Sequence, residues 1–138
     1  MKKTYIYTII IIGVVLTLIV WYLLSPLFLN KMVDEQFPIQ KSNEKKNSVS
    51  YGGNFVDADS FHEVEGKVII ISEAEKKYLR LEEFKSTNGP DLKVYLSEDL
   101  DAKSYVSLGE LKGNIGNQNY ELNLEVDFEK YKYVLIWC

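Results

Sequence analysis

The first thirty residues of the chain are almost entirely apolar. Residues 5–24, YIYTIIIIGVVLTLIVWYLL, contain no charged side chain, and the uncharged stretch continues to Asn30. A helix needs roughly 20 apolar residues to cross the hydrocarbon core of a bilayer, and aromatic residues such as Tyr5 and Trp21 belong near its two interfaces. The pattern predicts a transmembrane anchor over residues 5–29.

A cleaved signal peptide is the main alternative to this anchor. A signal peptide has an apolar core of about 7–15 residues and a cleavage site built from small residues. The apolar core here is longer, and residues 23–28, LLSPLF, contain no A-x-A pattern. The sequence therefore favours a signal anchor that remains part of the protein.

The charges that flank the apolar segment predict its orientation. Lys2 and Lys3 precede the segment, whereas Lys31 on the other side is soon followed by acidic residues. Cytoplasmic flanks carry the excess of lysine and arginine. We therefore expect residues 1–4 in the cytoplasm and everything after residue 30 outside, in a single-pass protein of the cell membrane.

The pattern changes twice after the apolar segment. The second half of residues 30–50 is polar and nearly free of large apolar side chains, so this segment is predicted to be a flexible linker. Residues 51–138 then show short alternating runs separated by turn signals, which predict an all-β domain. We expect an antiparallel β-sandwich or partly open barrel of about seven short strands. The candidate strands are 54–58, 66–72, 78–84, 92–97, 105–109, 119–124 and 131–137. The continuous apolar run 68–71 predicts a strand covered on both faces, and turn signals lie at 51–53, 88–91 and 113–117.

Composition and charge exclude several classes of function. The part of the chain beyond residue 29 carries 14 basic and 20 acidic residues, a net charge of −6, which argues against a nucleic acid partner. The chain has one cysteine, Cys138, and one histidine, His62. It cannot form an internal disulfide, a zinc site of four cysteine or cysteine and histidine ligands, a c-type haem attachment or a blue-copper site.

Three further groups of residues have a structural and a functional interpretation. The glycines at 109, 113 and 116 lack the pattern of a phosphate loop and indicate a hairpin or loop. The acidic residues between 57 and 65 lack the spacing of an EF-hand and favour a solvated strand edge over a cation site. A single histidine such as His62 is more often structural than functional, although it is the one side chain here that titrates near neutral pH.

Cys138 ends a segment, KYVLIWC, that is apolar on both faces of a strand. Such a strand is expected in the interior, where a thiol is inert packing. An unpaired cysteine in an exported protein is also a candidate reactive group, because the compartment is oxidising. From the residues alone, core packing and reactivity are equally supported.

An ordered series of short motifs resembles one known family. The motifs are GNFVD (53–57), His62, GKV (66–68), LRLEEF (79–84), NGPDLKVYL (88–96), LGELKGN (108–114), GNQNY (116–120) and IWC (136–138). Together they resemble the DM-thirteen domain, also called the electron transfer DM-thirteen domain, over residues 52–138. Members of that family usually continue past the cysteine with a further short strand. A natural end at Cys138 and a truncated sequence are both open explanations of this departure.

The resemblance implies an extracytoplasmic β-sandwich with a role in redox or electron transfer through its W-C motif, here Cys138. A redox partner protein is then expected, and no cofactor is identified. Because a thiolate needs a positive neighbour, we expect His62 to lie close to Cys138 as its partner. The competing hypothesis is a surface-binding β-sandwich in which Cys138 is core packing, and whether the protein is an enzyme stays open.

Overall fold

A computed structural model of the chain describes residues 2–38, 48–73 and 75–138. Its elements are one helix, α1 (Lys2–Phe28), followed by seven strands. The strands are β1 (Ser48–Asn54), β2 (Val64–Glu73), β3 (Lys76–Ser86), β4 (Lys93–Ser97), β5 (Tyr105–Glu110), β6 (Ile115–Leu122) and β7 (Tyr133–Trp137).

Helix α1 is long and apolar enough to cross a membrane between Thr4 and Ser25. The side chains of this stretch are not buried against the rest of the protein, and its large apolar residues are exposed all round the helix. A helix that is apolar on every side is stable only inside a protein or in lipid. α1 is therefore a candidate membrane anchor.

The strands form two antiparallel sheets, which confirms the predicted all-β sandwich preceded by one helix. One sheet has four strands in the order β1-β2-β3-β6, and the other has three in the order β5-β4-β7. The core lies between the sheets and includes Leu79, Leu81 and Phe84 from the first and Val94 and Leu96 from the second. Burial of each such side chain stabilises the fold by about 1.5–3 kcal/mol.

Six of the seven predicted strands coincide largely with an observed strand, and the first, which shares only Asn54 with β1, is wrong. β1 is Ser48–Asn54, whereas residues 55–63 form a loop. The chain turns back within this loop, because the Asp57 carboxylate accepts a hydrogen bond from the Val64 amide at the start of β2. Gly52 and Gly53, predicted as a turn, lie within β1 opposite Ile69 and Val68 of β2.

The predicted strand covered on both faces is confirmed in β2. Ile70 and Ile71 are neighbours, so their side chains point to opposite faces of the sheet. Both are buried, with 5% and 0% of their surface exposed.

Helix α1 is joined to one end of the sandwich, which we call the helix-proximal end. It consists of the loops 55–63, 87–92 and 111–114, where β1, β3 and β5 end and β2, β4 and β6 begin. The Asn88 side chain donates a 2.7 Å hydrogen bond to the Leu29 carbonyl, directly after the helix. The opposite, distal end consists of the loops 98–104 and 123–132.

Residues 29–38, which we call the strap, run along the outer edge of β6. Met32 pairs with Ile115 in a parallel β-bridge, the Val33 amide donates to the Ile115 carbonyl at 2.9 Å, and the Glu35 amide donates to Asn117 at 2.8 Å. The strap therefore covers an edge of the four-stranded sheet that would otherwise expose unpaired backbone groups. Within the linker predicted over 30–50, residues 39–47 lie outside the described residues.

Candidate functional site

Cys138 directly follows β7 at the helix-proximal end. β7 is an edge strand of the three-stranded sheet, and its last paired residue, Trp137, lies opposite Lys93 of β4. The side chain of Cys138 is exposed. The expectation that this strand is interior is therefore wrong, and so is the interpretation of Cys138 as core packing in this chain.

The strand alternation explains how a thiol on the core side becomes exposed. Val134 and Ile136 pack against the core, and Cys138 is the next residue with the same direction. It lies beyond the last residue pair between β7 and β4, and it is exposed. The sequence could show the direction of the side chain but not where the pairing of the strand ends.

Lys93 of β4, which pairs with Trp137, carries a positive charge next to the residue that precedes Cys138. The Lys93 ammonium is 3.3 Å from the Asp91 carboxylate. The hydrogen bond to Asp91 raises the pKa of Lys93, so the ammonium stays charged at neutral pH. Asp91 adopts a left-handed backbone conformation with φ of 57°, which fits the turn predicted at 88–91.

His62 lies on the loop 55–63, also at the helix-proximal end. Its Nδ1 is 2.7 Å from Asp59 Oδ2. The other carboxylate oxygen of Asp59 accepts hydrogen bonds from the backbone amides of Phe61 and His62 at 2.7 and 2.9 Å. The hydrogen bond from His62, followed by that from the Phe61 amide, lowers the pKa of Asp59 from its ordinary value of 3.8.

This lowered pKa predicts how the loop responds to acid. A carboxylate whose pKa is lower in the folded than in the unfolded state stabilises the fold above the unfolded pKa, and that contribution is lost as the pH falls through the folded pKa. We expect Asp59→Asn to lower the free energy of unfolding at pH 6, with a difference from wild type that shrinks below pH about 4. Urea unfolding between pH 2 and 6 measures this, and a difference that is constant across the range would contradict it.

The acidic residues between 57 and 65 serve as local caps and ion-pair partners. Asp57 accepts the Val64 amide at 2.6 Å, and Glu65 pairs with Lys85 at 3.1 Å. In the part of the chain that the structure describes, no three histidine, cysteine or acidic side chains converge as ligands for a metal ion. Asp57, Asp59 and Glu65 thus have structural partners on this loop or on the strands next to it.

Comparison with known families identifies the domain that these residues form. The family model described as Electron transfer DM13 matches residues 54–138. The chain belongs to this family. The match covers β2 to β7 and includes both His62 and Cys138. No curated protein and no solved structure matches the chain.

The structure places the two predicted site residues of this DM13 domain at the same end of the sandwich. Among the described residues, the side chain of His62 makes its hydrogen bond and ion pair with Asp59. No hydrogen bond or ion pair of those residues joins it to Cys138. The pairing of His62 with Cys138 therefore stays a prediction.

The sequence did not predict a groove that lies between the DM13 match and β1. It lies between β1 and β7, the edge strands on one side of the two sheets, and has a volume of about 510 Å³. The wall from β1 includes Gly52 and Gly53, and the wall from β7 includes Tyr133 and Leu135. Strand order decides which strands lie at an edge, and no local signal in the sequence reports strand order.

The polar contacts of the strap were also missed. Lys112 Nζ binds the Glu35 carboxylate at 2.7 Å, and the Asn119 amide donates to the same carboxylate at 2.7 Å. Burial raises the pKa of Glu35, but these two hydrogen bonds outweigh it, so its pKa lies below the ordinary value of 4.5. Arg80, which is 6% exposed, donates to the carbonyls of Glu35 and Gln36. α1 and the strap lie outside the DM13 match, and the strap is bonded to the matched residues through these contacts.

Proposed function

We propose that the protein is a membrane-anchored, extracytoplasmic DM13 domain with a redox-active thiol at Cys138. Family membership supports a redox-related role, and the apolar helix supports anchoring. The observation that carries the proposal is the exposure of Cys138 at the end of an edge strand within the DM13 match. A buried thiol would have no access to a partner.

The orientation in the cell membrane is proposed from the flanking charges. Lys2 and Lys3 lie before the apolar stretch that begins at Thr4, and the chain beyond residue 29 carries a net charge of −6. The N-terminus then lies in the cytoplasm, and the DM13 domain lies outside. An oxidising compartment is the environment in which a single thiol meets disulfides of other proteins.

Thiol–disulfide exchange with a partner protein is the chemistry that a single cysteine supports. The Cys138 thiolate attacks a partner disulfide, one S–S bond breaks, and the displaced sulfur leaves as a thiolate. The product is a mixed disulfide. Because the chain has no other cysteine, another thiolate of the partner resolves the mixed disulfide by attacking the partner's own sulfur. A new disulfide forms within the partner, the bond to Cys138 breaks, and Cys138 leaves as a thiolate.

Thiol labelling of the full chain in detergent tests the proposal. We expect Cys138 to react with a maleimide in the folded protein at a rate within about tenfold of the unfolded chain, since it is exposed. Incubation with oxidised glutathione should add one glutathione per chain, detected by mass spectrometry, and Cys138→Ser should add none. A thiol that reacts only after unfolding removes the redox proposal.

His62→Ala tests the predicted partnership with Cys138. If His62 lowers the pKa of the thiol, the labelling rate at pH 7 falls in this variant and the rate at pH 9 does not. Asp59→Asn serves as the control, because it removes the observed ion-pair partner of His62 and leaves the imidazole in place. A labelling rate that is unchanged in His62→Ala at both pH values ends this assignment.

A second candidate function is a binding module that uses the groove between β1 and β7. Its volume of about 510 Å³ falls within the range of small-ligand sites, and an edge strand can accept an added strand from a peptide. This function predicts binding that survives Cys138→Ser and is weakened by Leu135→Arg in the groove. Redox exchange predicts instead that the interaction is lost in Cys138→Ser and is unchanged in Leu135→Arg.

A further inference from the structure

Large apolar side chains are exposed at the helix-proximal end of the sandwich. Val56 and Phe61 on the loop 55–63 are 82% and 81% exposed, and Met32 of the strap is 78% exposed. Single exposed apolar residues are common on soluble surfaces. Three apolar side chains near one end of the domain, each more than three-quarters exposed, indicate an interaction surface.

The loop that carries Phe61 lies close to the end of helix α1. The Thr87 hydroxyl donates to the Phe61 carbonyl at 3.4 Å, and the next residue, Asn88, donates to the Leu29 carbonyl at 2.7 Å. Leu29 follows directly on α1. Two neighbouring residues of the loop 87–92 therefore connect the Phe61 loop to the chain that leaves the apolar helix.

The last turns of α1 also lie beside this end of the sandwich. Tyr22 and Ser25 line a cleft whose other walls are residues 88–92 and parts of 110–114. Ser25 is the last residue of the stretch that is apolar enough to span a membrane. At 1.5 Å per helical residue, Leu29 lies only about 6 Å further along. The helix-proximal end is thus within the depth of lipid headgroups when α1 spans a bilayer.

We propose that the helix-proximal end of the DM13 domain inserts into the interfacial region of the same bilayer, with Val56 and Phe61 as its apolar contacts. This inference rests on the membrane anchoring in the proposed function. Aromatic and apolar side chains at headgroup depth are favourable because one side meets acyl chains and the other meets water. The domain then has two membrane contacts, α1 and this end.

The strap holds the domain in that orientation. Lys31 donates its amide to the Asn114 side chain at 2.7 Å, and Asn114 also donates to Asn30 and to the Ser86 carbonyl. These bonds begin two residues after α1 ends. A domain on a free linker would rotate, whereas here the chain is bonded to the domain from the second residue after the helix onward.

The negative charges at the same end indicate which type of lipid headgroup this surface can contact. Asp57, Asp59 and Glu63 are exposed on the loop that carries Phe61. Anionic headgroups would repel these carboxylates, so the attraction is hydrophobic rather than electrostatic. The surface that fits is therefore a zwitterionic one, and the contact should persist at high salt.

Depth-dependent fluorescence quenching in phosphatidylcholine bilayers tests the inference on the full chain. The lipids carry bromine near the headgroup end of the acyl chain. Three proteins with one tryptophan each are compared. Trp21→Phe leaves Trp137 at the helix-proximal end without any change to the loop. In the background that lacks both native tryptophans, Phe61→Trp reports the loop and Leu100→Trp, 67% exposed in wild type, reports the distal end.

We expect about a twofold loss of emission for Trp137 and for Phe61→Trp, and little loss for Leu100→Trp. Trp137→Phe, which keeps Trp21 in the helix, reports anchoring itself. Quenching of Trp21 without quenching of Trp137 or Phe61→Trp overturns the inference and leaves the anchor intact. Equal quenching at both ends of the domain also overturns it. No quenching of Trp21 removes the anchor, and the inference with it.

Discussion

Substituting Gly116 by alanine is expected to destabilise the DM13 domain by about 3 kcal/mol and to detach the strap. Gly116 has φ of 106°, which side chains rarely adopt, and an added Cβ would lie 2.0 Å from the Val33 carbonyl oxygen. Backbone strain and steric overlap therefore act together. The overlap is with main chain of the strap, which cannot move aside as a flexible side chain can.

Two other glycines separate these causes. Gly109 has almost the same φ, 103°, but an added Cβ would meet nothing within 4 Å, so Gly109→Ala carries the strain alone. Gly113 lacks the unusual φ, but its added Cβ would lie 2.5 Å from the Lys31 carbonyl oxygen. Gly113→Ala carries the overlap alone. We expect Gly116→Ala to be more destabilising than either.

Hydrogen exchange shows which variants detach the strap. The amides of Val33 and Glu35 donate to Ile115 and Asn117 of β6. Their exchange should become faster in Gly116→Ala and Gly113→Ala and stay near the wild-type rate in Gly109→Ala. If the Val33 and Glu35 amides exchange at the same rate in all three variants, the steric overlap at Gly113 and Gly116 does not detach the strap.

The sequence predicted those features of the fold that depend on local pattern. Short β-rich runs bounded by turn signals located six of the seven strands, and Ile70 and Ile71 marked a strand with two covered faces. The misplaced first strand follows the same logic. Phe55 and Val56 are residue types that favour strands, but the Asp57 carboxylate accepts a hydrogen bond from the Val64 amide, and residues 55–63 form a loop instead.

The features that escaped prediction depend on partners distant in sequence. Residues 30–38 belong to the segment predicted as a linker, yet Arg80, Lys112 and Asn119 provide Glu35 and Gln36 with partners. Cys138 follows a strand that is apolar on both faces, but the order β5-β4-β7 puts that strand at an edge. Sheet order and long-range polar pairs are not encoded in any local period of the sequence.

The positions of the thiol and of the helix restrict the approach of a redox partner. Cys138 follows Trp137, which pairs with Lys93 at the helix-proximal end. If that end meets the bilayer as inferred above, a partner must reach Cys138 along the membrane surface. A thiol at the distal end would be open to any soluble protein. The two proposals together favour a membrane-bound partner.

Gln118→Glu is expected to destabilise the domain by roughly 4 kcal/mol at pH 7 and much less at pH 4. Gln118 is fully buried. Its amide nitrogen donates to the Gly113 carbonyl at 2.6 Å, and its oxygen accepts from the Gly113 amide and the Tyr120 hydroxyl. An ionised carboxylate would keep both acceptor bonds but place an oxygen and a charge against the Gly113 carbonyl.

The pH dependence follows from the protonation of the introduced carboxyl. Burial raises its pKa above the value of about 4.3 in the unfolded chain. Below that value both states are protonated, and the carboxyl O–H can donate to Gly113 as the amide does. As the pH rises, the unfolded state ionises first, so stability is lost up to the raised pKa of the folded state. Burial likewise raises the pKa of Tyr120 to about 12, so its hydroxyl remains a donor throughout.

Urea unfolding between pH 4 and 8, followed by Trp137 emission, measures this effect. Gln118→Leu is the matched control, because it removes the same hydrogen bonds without adding a charge. It should cost about 2–3 kcal/mol at every pH. A destabilisation of Gln118→Glu that is independent of pH would show that water or a rearranged loop reaches the carboxylate. The loop 111–114 belongs to the helix-proximal end and bonds the strap through Asn114. Contacts other than those of Gln118 would then keep this loop in place.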